Sequence, residues 1–208
     1  MEEINIKNII IGKQFQTCEN YEKFVQIVKK KKINVSIVSS GNRVNIEKNI
    51  YLDVLWPDTN KKIMENILNN NSLVCKLNYK KNSILFTGDI EAVAEKEILK
   101  KYQSKSNILK SNIIKIAHHG SKSSSIEEFL NEVKPNIALI GVGKNNNFGH
   151  PSQKTLENLR KFNCKYYRTD ECGEIALRIN EKKIMINRRI KTKIKEWLHN
   201  LAIIVNTT

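Results

Sequence analysis

Four residues of types that do chemistry follow apolar runs. In "ILFTGDI" (84–90) an apolar stretch ends in Thr, Gly and then a carboxylate, Asp89. In "KIAHHGSKSSS" (115–125) a second stretch ends in two adjacent imidazoles, His118 and His119, followed by Gly120 and Ser121. In "IALIGVGKNNNFGHP" (137–151) a third runs into a Gly- and Asn-rich loop that ends in His150 and Pro151. Three of the chain's four histidines therefore follow apolar segments. A carboxylate grouped with imidazoles suits Zn, Mn or Fe. The glycines let backbone approach a metal or a phosphate closely. Each residue alone has a plainer reading. An Asp before a helix is an N-cap more often than a ligand. A single His beside a strand is more often a hydrogen-bonded, half-buried side chain, and His150 before Pro151 could simply order a turn. His199, among lysines, reads as surface. Ser121, Ser123, Ser124 and Ser125 could bind phosphate oxygens or simply cap and solvate a loop. No Ser–His–Asp order and no GxSxG elbow is present.

The elements that must position these residues alternate. Strands are predicted over 4–12, 33–38, 49–57, 72–79, 83–88, 112–117, 136–143, 165–170, 173–180 and 182–188, with 72–79 and 83–88 forming a hairpin. Helices are predicted over 19–31, 91–102, 124–133 and 152–162. The third starts at Ser124 or Ser125 as N-cap, with Glu127 or Glu128 in its first turn. An amphipathic helix is predicted over 190–205. This alternation implies a layered α/β fold with helices on sheet faces. In such folds ligands bind beyond the carboxyl ends of strands, so Asp89, the histidine pair and His150 could meet at one sheet edge. Strand alternation would send His118 and His119 to opposite sides, one to a metal and the other to substrate or packing.

The chain has 208 residues, 40% apolar and 27% charged, enough for one domain with a real core. No repeat, low-complexity linker or second domain is evident. Its net charge of +15 favours a polyanion such as nucleic acid or an anionic membrane surface. A general bias toward Lys, Asn and Ile accounts for that charge better than a dedicated site does. Cys18, Cys75, Cys164 and Cys172 form no CxxC, so no zinc ribbon or disulfide framework is read, and a reduced, cytosolic state fits. No apolar run reaches membrane-spanning length, and "MEEINIKN" is not a signal peptide.

The segments "LFTGDIEAVAEKEIL", "LKSNIIKIAHHGSKSSSIEEFLNEVKPNIALIGVGKNNNFGHPSQKTLENL" and "YYRTDECGEI", with "VLWP" and "NNNSLV", resemble the metallo-β-lactamase-fold domain at the C-terminal end of ComEC-family proteins, the DNA-uptake channels of competent bacteria. The match runs from about residue 4 to about 187. The resemblance implies an αββα sandwich with a dinuclear metal site at one edge, taking a divalent metal such as Zn or Mn. By match, Asp89 bridges the metals and His119 binds the second one. His118 then faces the scissile phosphate, and His150 contacts substrate or a metal-bound water. Ser121, Lys122 and Ser123 would hold phosphate oxygens. The implied reaction is metal-assisted, nuclease-like phosphodiester hydrolysis linked to DNA uptake. The implied partners are single-stranded DNA and a membrane channel.

One departure from the family is prominent. The HxHxDH cluster of the fold, HxDxDH in ComEC proteins, is absent, and no histidine precedes His118. The expectation is therefore a single partial domain over 1–208, a truncated metallo-β-lactamase-like sandwich with an incomplete metal site and an uncovered sheet face. The competing expectation is a non-catalytic, basic nucleic-acid- or partner-binding remnant. As an isolated chain it would be cytoplasmic. Within an intact ComEC system its site would be membrane-associated or extracytoplasmic.

Overall fold

The structure is a computed structural model that describes residues 4–13, 19–181, 183–189 and 201–205. The elements in chain order are β1 (Asn8–Gly12), α1 (Glu19–Lys30), β2 (Asn34–Val38), β3 (Arg43–Glu47), β4 (Ile50–Trp56), α2 (Ile67–Asn70), β5 (Val74–Tyr79), β6 (Asn82–Phe86), α3 (Ala92–Tyr102), β7 (Ile113–Lys115), α4 (Glu127–Val133), β8 (Ile137–Ile140), α5 (Gln153–Lys161), β9 (Lys165–Arg168), α6 (Thr169–Cys172), β10 (Glu174–Ile179), β11 (Ile184–Arg189) and β12 (Leu201–Val205).

The apolar runs are continuous rather than alternating because the main sheet is buried on both faces. That sheet has seven strands in the order β3-β4-β5-β6-β7-β8-β9. Strands β3 to β6 are antiparallel neighbours, and β6 to β9 run parallel. Period-two alternation sorts each run between two cores. Leu85, Ile114, Ala138 and Ile140 face one core with Ala94 and Ile98 of α3, Phe129 and Leu130 of α4, and Leu156 and Leu159 of α5. Their chain neighbours Ile84, Ile113 and Leu139 face the other, against Ile175, Leu177 and Ile179 of β10. The result is a layer of helices, the seven-stranded sheet, and a three-stranded sheet of order β11-β10-β12. This is the α/β sandwich that the alternation of elements predicts. The second core also carries a cross-sheet bond, Asn82 Nδ2 donating to Asn180 O at 3.0 Å.

At the amino-terminal side, β1 and β2 pair in parallel around α1. Glu19 and Glu22 lie in the first turn of α1 and Lys29 and Lys30 in its last, the favourable sense for the helix dipole. Val35 and Ile37 of β2 remain exposed, Ile37 at 67%.

The structure corrects several predicted elements. β3 and α2 were not expected. The segment predicted as a terminal helix over 190–205 is, where described, the strand β12. It adds to β10 in parallel, with Ile175 opposite Leu201 and Ile179 opposite Val205. The β-branched content of "LAIIV" and an open sheet edge outweigh helical spacing there. Residues 190–200, His199 among them, lie outside the described residues, as does Cys18. The strand predicted over 165–170 stops at Arg168, and α6 follows. The helix predicted from Ser124 or Ser125 begins at Glu127. Its N-cap is Ile126, with no side-chain cap, so neither serine caps it.

Candidate active site at the carboxyl edge of the sheet

Because β6, β7, β8 and β9 run parallel, the loops after them emerge at one edge. Asp89 follows β6, the histidine pair follows β7, and Gly141 to His150 follow β8. The edge therefore brings together the four residues singled out by type.

Asp89 is not an N-cap. The residue at the start of α3 is Glu91, and it makes no side-chain cap bond. Asp89 sits in a turn made possible by Gly88, at φ +55°, where a Cβ would lie 2.7 Å from Ser72 Cβ. The Asp89 N–H donates to Ser72 Oγ at 3.3 Å.

His118 and His119 diverge, but not by strand alternation. β7 ends at Lys115, and both histidines sit at a kink between Ala117 and Gly120 with left-handed backbone, φ +47° and +56°. Two successive non-glycine residues in the left-handed region are costly and persist only where the surroundings over-determine them. Here His118 N donates to Gly88 O at 3.2 Å, and Ser121 N donates to His118 O at 2.9 Å.

Each ring then finds different neighbours. His119 Nδ1 lies 2.6 Å from Gly141 O. A carbonyl oxygen only accepts, so Nδ1 carries the proton, and Nε2 of the neutral ring is left with a lone pair. That nitrogen stands 3.9 Å from Asp89 Oδ1. His118 Nδ1 instead lies 3.5 Å from Glu91 Oε1, and its ring meets His150 edge-on at 5.8 Å between centroids. His150 in turn stacks on exposed Phe148 at 5.9 Å. Burial, followed by the neighbouring His118 and His119 imidazoles, lowers the pKa of His150 below the usual imidazole value.

Sequence reasoning missed three residues at this edge. Lys115 is largely buried, and its Nζ donates to Ile116 O at 3.0 Å. Burial lowers its pKa, and the Asp89 carboxylate opposes that shift. Glu91 accepts from Asn66 Nδ2 at 2.7 Å, Asn70 Nδ2 at 3.3 Å and Ser123 Oγ at 2.9 Å. Burial pushes the Glu91 pKa up, but those donors and the His118 imidazole outweigh it and hold the carboxyl below its ordinary value. Glu95 is 1% exposed and accepts from Ser125 N at 2.7 Å and Ile126 N at 2.9 Å. No local signal marks the roles of Glu91 and Glu95, since their partners lie about 20 to 30 residues away in sequence.

The serines are woven into the loop. Ser121 Oγ and Ser123 Oγ are 3.0 Å apart, and Ser123 Oγ also donates to Glu91. Ser124 Oγ serves the carbonyls of Ala117 and Ser121. Lys122 is exposed. Buried Thr155 of α5 ties the histidine loop to the helix layer, its Oγ1 donating to Gly120 O and Ser121 O at 3.1 and 3.0 Å. Thr155→Val keeps the shape and removes one donor, while Gly120 O keeps the Ser152 N–H and Ser121 O keeps Ser124. The expected cost is about 0.5–1.5 kcal/mol in urea unfolding. A variant within experimental error of wild type would show that the remaining donors suffice.

A divalent cation takes four or more ligands. Asp89 and His119 have suitable donor chemistry, including the outer hydrogen bond that orients a ligating imidazole. They are two donors only. Among the described residues no group of three or more His, Cys, Asp and Glu could hold a metal ion. These residues fit a share of a metal site and not a complete one.

Fold and edge together define an α/β-sandwich protein with a carboxylate–imidazole cluster beyond its parallel strands. Among known proteins, the chain is 32% identical over 173 residues, 83% of its length, to ComE operon protein 3 of Bacillus subtilis. It is 29% identical over 129 residues to Recombination protein 2 of Haemophilus influenzae, and 33% identical over 93 residues to Competence protein ComA of Neisseria gonorrhoeae. These matches cover 62% and 45% of the chain. The chain spans 21%, 16% and 13% of the three relatives. No family profile matches it. Among the described residues no helix is long and apolar enough to cross a membrane.

Proposed function

We propose that this chain is part of a DNA-uptake protein and carries half of a hydrolytic edge of metallo-β-lactamase type, acting on a phosphodiester of single-stranded DNA. The similarity to competence proteins supports the biological setting. The observation that carries the chemistry is His119, anchored through Nδ1 to Gly141 O with Nε2 turned to Asp89. Two acceptors that face one another at this distance are suited to sharing a cation. Asp89 and His119 are the residues that would hold a divalent ion, Zn or Mn, whose Lewis acidity activates water when it is bound with further ligands. In this reading His118 and His150, whose rings meet edge-on at 5.8 Å, would face the phosphate, and exposed Lys122 would meet its oxygens.

A second reading, a nucleic-acid-binding part without catalysis, is favoured by the incomplete donor set and the +15 charge. One experiment separates the two. Metal uptake is measured by equilibrium dialysis against Mn and Zn, alongside cleavage of end-labelled single-stranded DNA. The hydrolytic reading expects at least one metal per chain, lost in Asp89→Asn and His119→Ala together with cleavage. Less than one metal and no cleavage sinks it for this polypeptide. Binding of DNA that weakens steeply with salt, without cleavage, supports the second reading.

A further inference from the structure

One buried polar atom at this edge is unexplained by the metal-binding pair. Among the described residues, His118 Nδ1 is the buried side-chain nitrogen or oxygen left without a hydrogen-bond partner. Such an atom costs free energy unless something nearby compensates it. The neighbour in position to do so is Glu91 Oε1, 3.5 Å away.

Glu91 is built to stay where it is. It is 8% exposed. Its own N–H donates to Asn70 Oδ1 at 2.9 Å, and the Asn70 amide returns a bond to Oε2. A carboxylate offers about four lone-pair positions. Asn66 and Asn70 occupy Oε2, and Ser123 takes one position on Oε1. The remaining position on Oε1 is the one beside the ring. A carboxylate serving only the fold would be satisfied by its amide and hydroxyl donors and would have no need of an imidazole.

We propose that Glu91 is a positioning residue for His118: its fixed carboxylate accepts a hydrogen bond from the Nδ1–H of the ring, which keeps the proton on Nδ1 and leaves Nε2 as the basic nitrogen. The ring side chain keeps 25% of its surface open, and with Nδ1 buried that surface belongs to its other atoms. A short closing movement of the ring would complete the bond, since hydrogen bonds of this kind tighten when a site is occupied. Ser123 thereby gains a definite role. It links the loop to the carboxylate, and through it to the ring. The purpose of that orientation rests on the hydrolytic reading above; the geometry of the pair does not.

The test is the imidazole nitrogen spectrum of the ¹⁵N-histidine-labelled protein at one neutral pH, for wild type, Glu91→Ala and Glu91→Gln. Wild type is expected to show His118 with its proton on Nδ1 and a bare Nε2. Glu91→Ala is expected to lose that preference, and Glu91→Gln to reverse it, because the Asn66 and Asn70 amides hold the Gln oxygen at the Oε2 position and turn its NH₂, a donor only, toward Nδ1. Where wild type cleaves DNA, Glu91→Ala is expected to lower kcat about 10- to 100-fold with KM little changed. A wild-type His118 carrying its proton on Nε2 overturns the assignment, even if Glu91→Ala does not fold. So does a folded Glu91→Ala with the wild-type tautomer. If wild type shows no cleavage, the hydrolytic reading fails, while the tautomer result still decides the role of Glu91.

Discussion

Gly120→Ala is expected to destabilise the protein by about 3 kcal/mol or more, and to disrupt the histidine turn in doing so. Two costs add. Gly120 has φ +84°, where an L side chain is strained. A Cβ there would also lie 2.6 Å from Pro151 Cβ and 3.1 Å from Pro151 Cα. Neither neighbour yields easily. Pro151 is a ring, and the next residue, Ser152, donates its N–H to Gly120 O at 2.8 Å. Thr155 holds the same carbonyl. Gly149 gives the comparison. Its φ is +68°, but nothing lies within 4 Å of an added Cβ. Gly149→Ala should therefore carry only the backbone strain, about 1 kcal/mol. Urea unfolding of the two variants separates the terms. Equal losses would show that contact with Pro151 contributes nothing.

The second large effect belongs to Glu95, and it depends on pH. Burial pushes its pKa from 4.5 up to about 7, and Glu128 adds to the rise. The N–H groups of Ser125 and Ile126 pull the other way and lose. A folded-state pKa above the unfolded one means that the folded protein binds the extra proton. The stability this provides is full below about pH 4.5 and is lost as pH rises through about 7. The window amounts to about 3 kcal/mol, from roughly 1.4 kcal/mol per pH unit. Glu95→Gln should abolish this slope. At pH 5 it should be less stable than wild type by about 1–3 kcal/mol, because its NH₂ faces a backbone N–H that needs an acceptor. Toward pH 8 the gap should narrow. Thermal unfolding of both proteins from pH 5 to 8 is the measurement, and a gap constant across that range would refute the assignment.

The layered fold was legible because apolar runs alternate with helical spacing along the chain, and β4, β6 and β8 are closed within two residues by Gly or Pro. The shared edge was legible because Asp89, the histidine pair and His150 each follow such an apolar run, His150 after an intervening loop. What stayed hidden was the support, because it comes from far along the chain. A capping serine looks right at Ser124 and Ser125. Yet Ser124 Oγ is spent on the carbonyls of Ala117 and Ser121, and the acceptor that serves the start of α4 is Glu95, some thirty residues earlier. The turn that splits the two imidazoles is equally invisible, since left-handed backbone at His118 and His119 has no signature beyond Gly120 after them. β12 shows the converse case, in which helical spacing gave way to an unpaired strand edge that only the tertiary structure supplies.

The change of direction at β6 also sets an order of events in time. Antiparallel β5 and β6 meet across the two-residue turn Lys80–Lys81, a closure between near neighbours. Parallel β6 and β7 pair Ile84 with Ile113, and β7 and β8 pair Ile113 with Ile137, each only after a helix has been threaded back over the sheet. Closing longer loops is slower, so the hairpin half is expected to form first and the parallel half to dock onto it. The ligand-type side chains of the edge lie in the loops after β6, β7 and β8. On this topology the chemistry of the protein is expected to be assembled late, on a scaffold that forms without it.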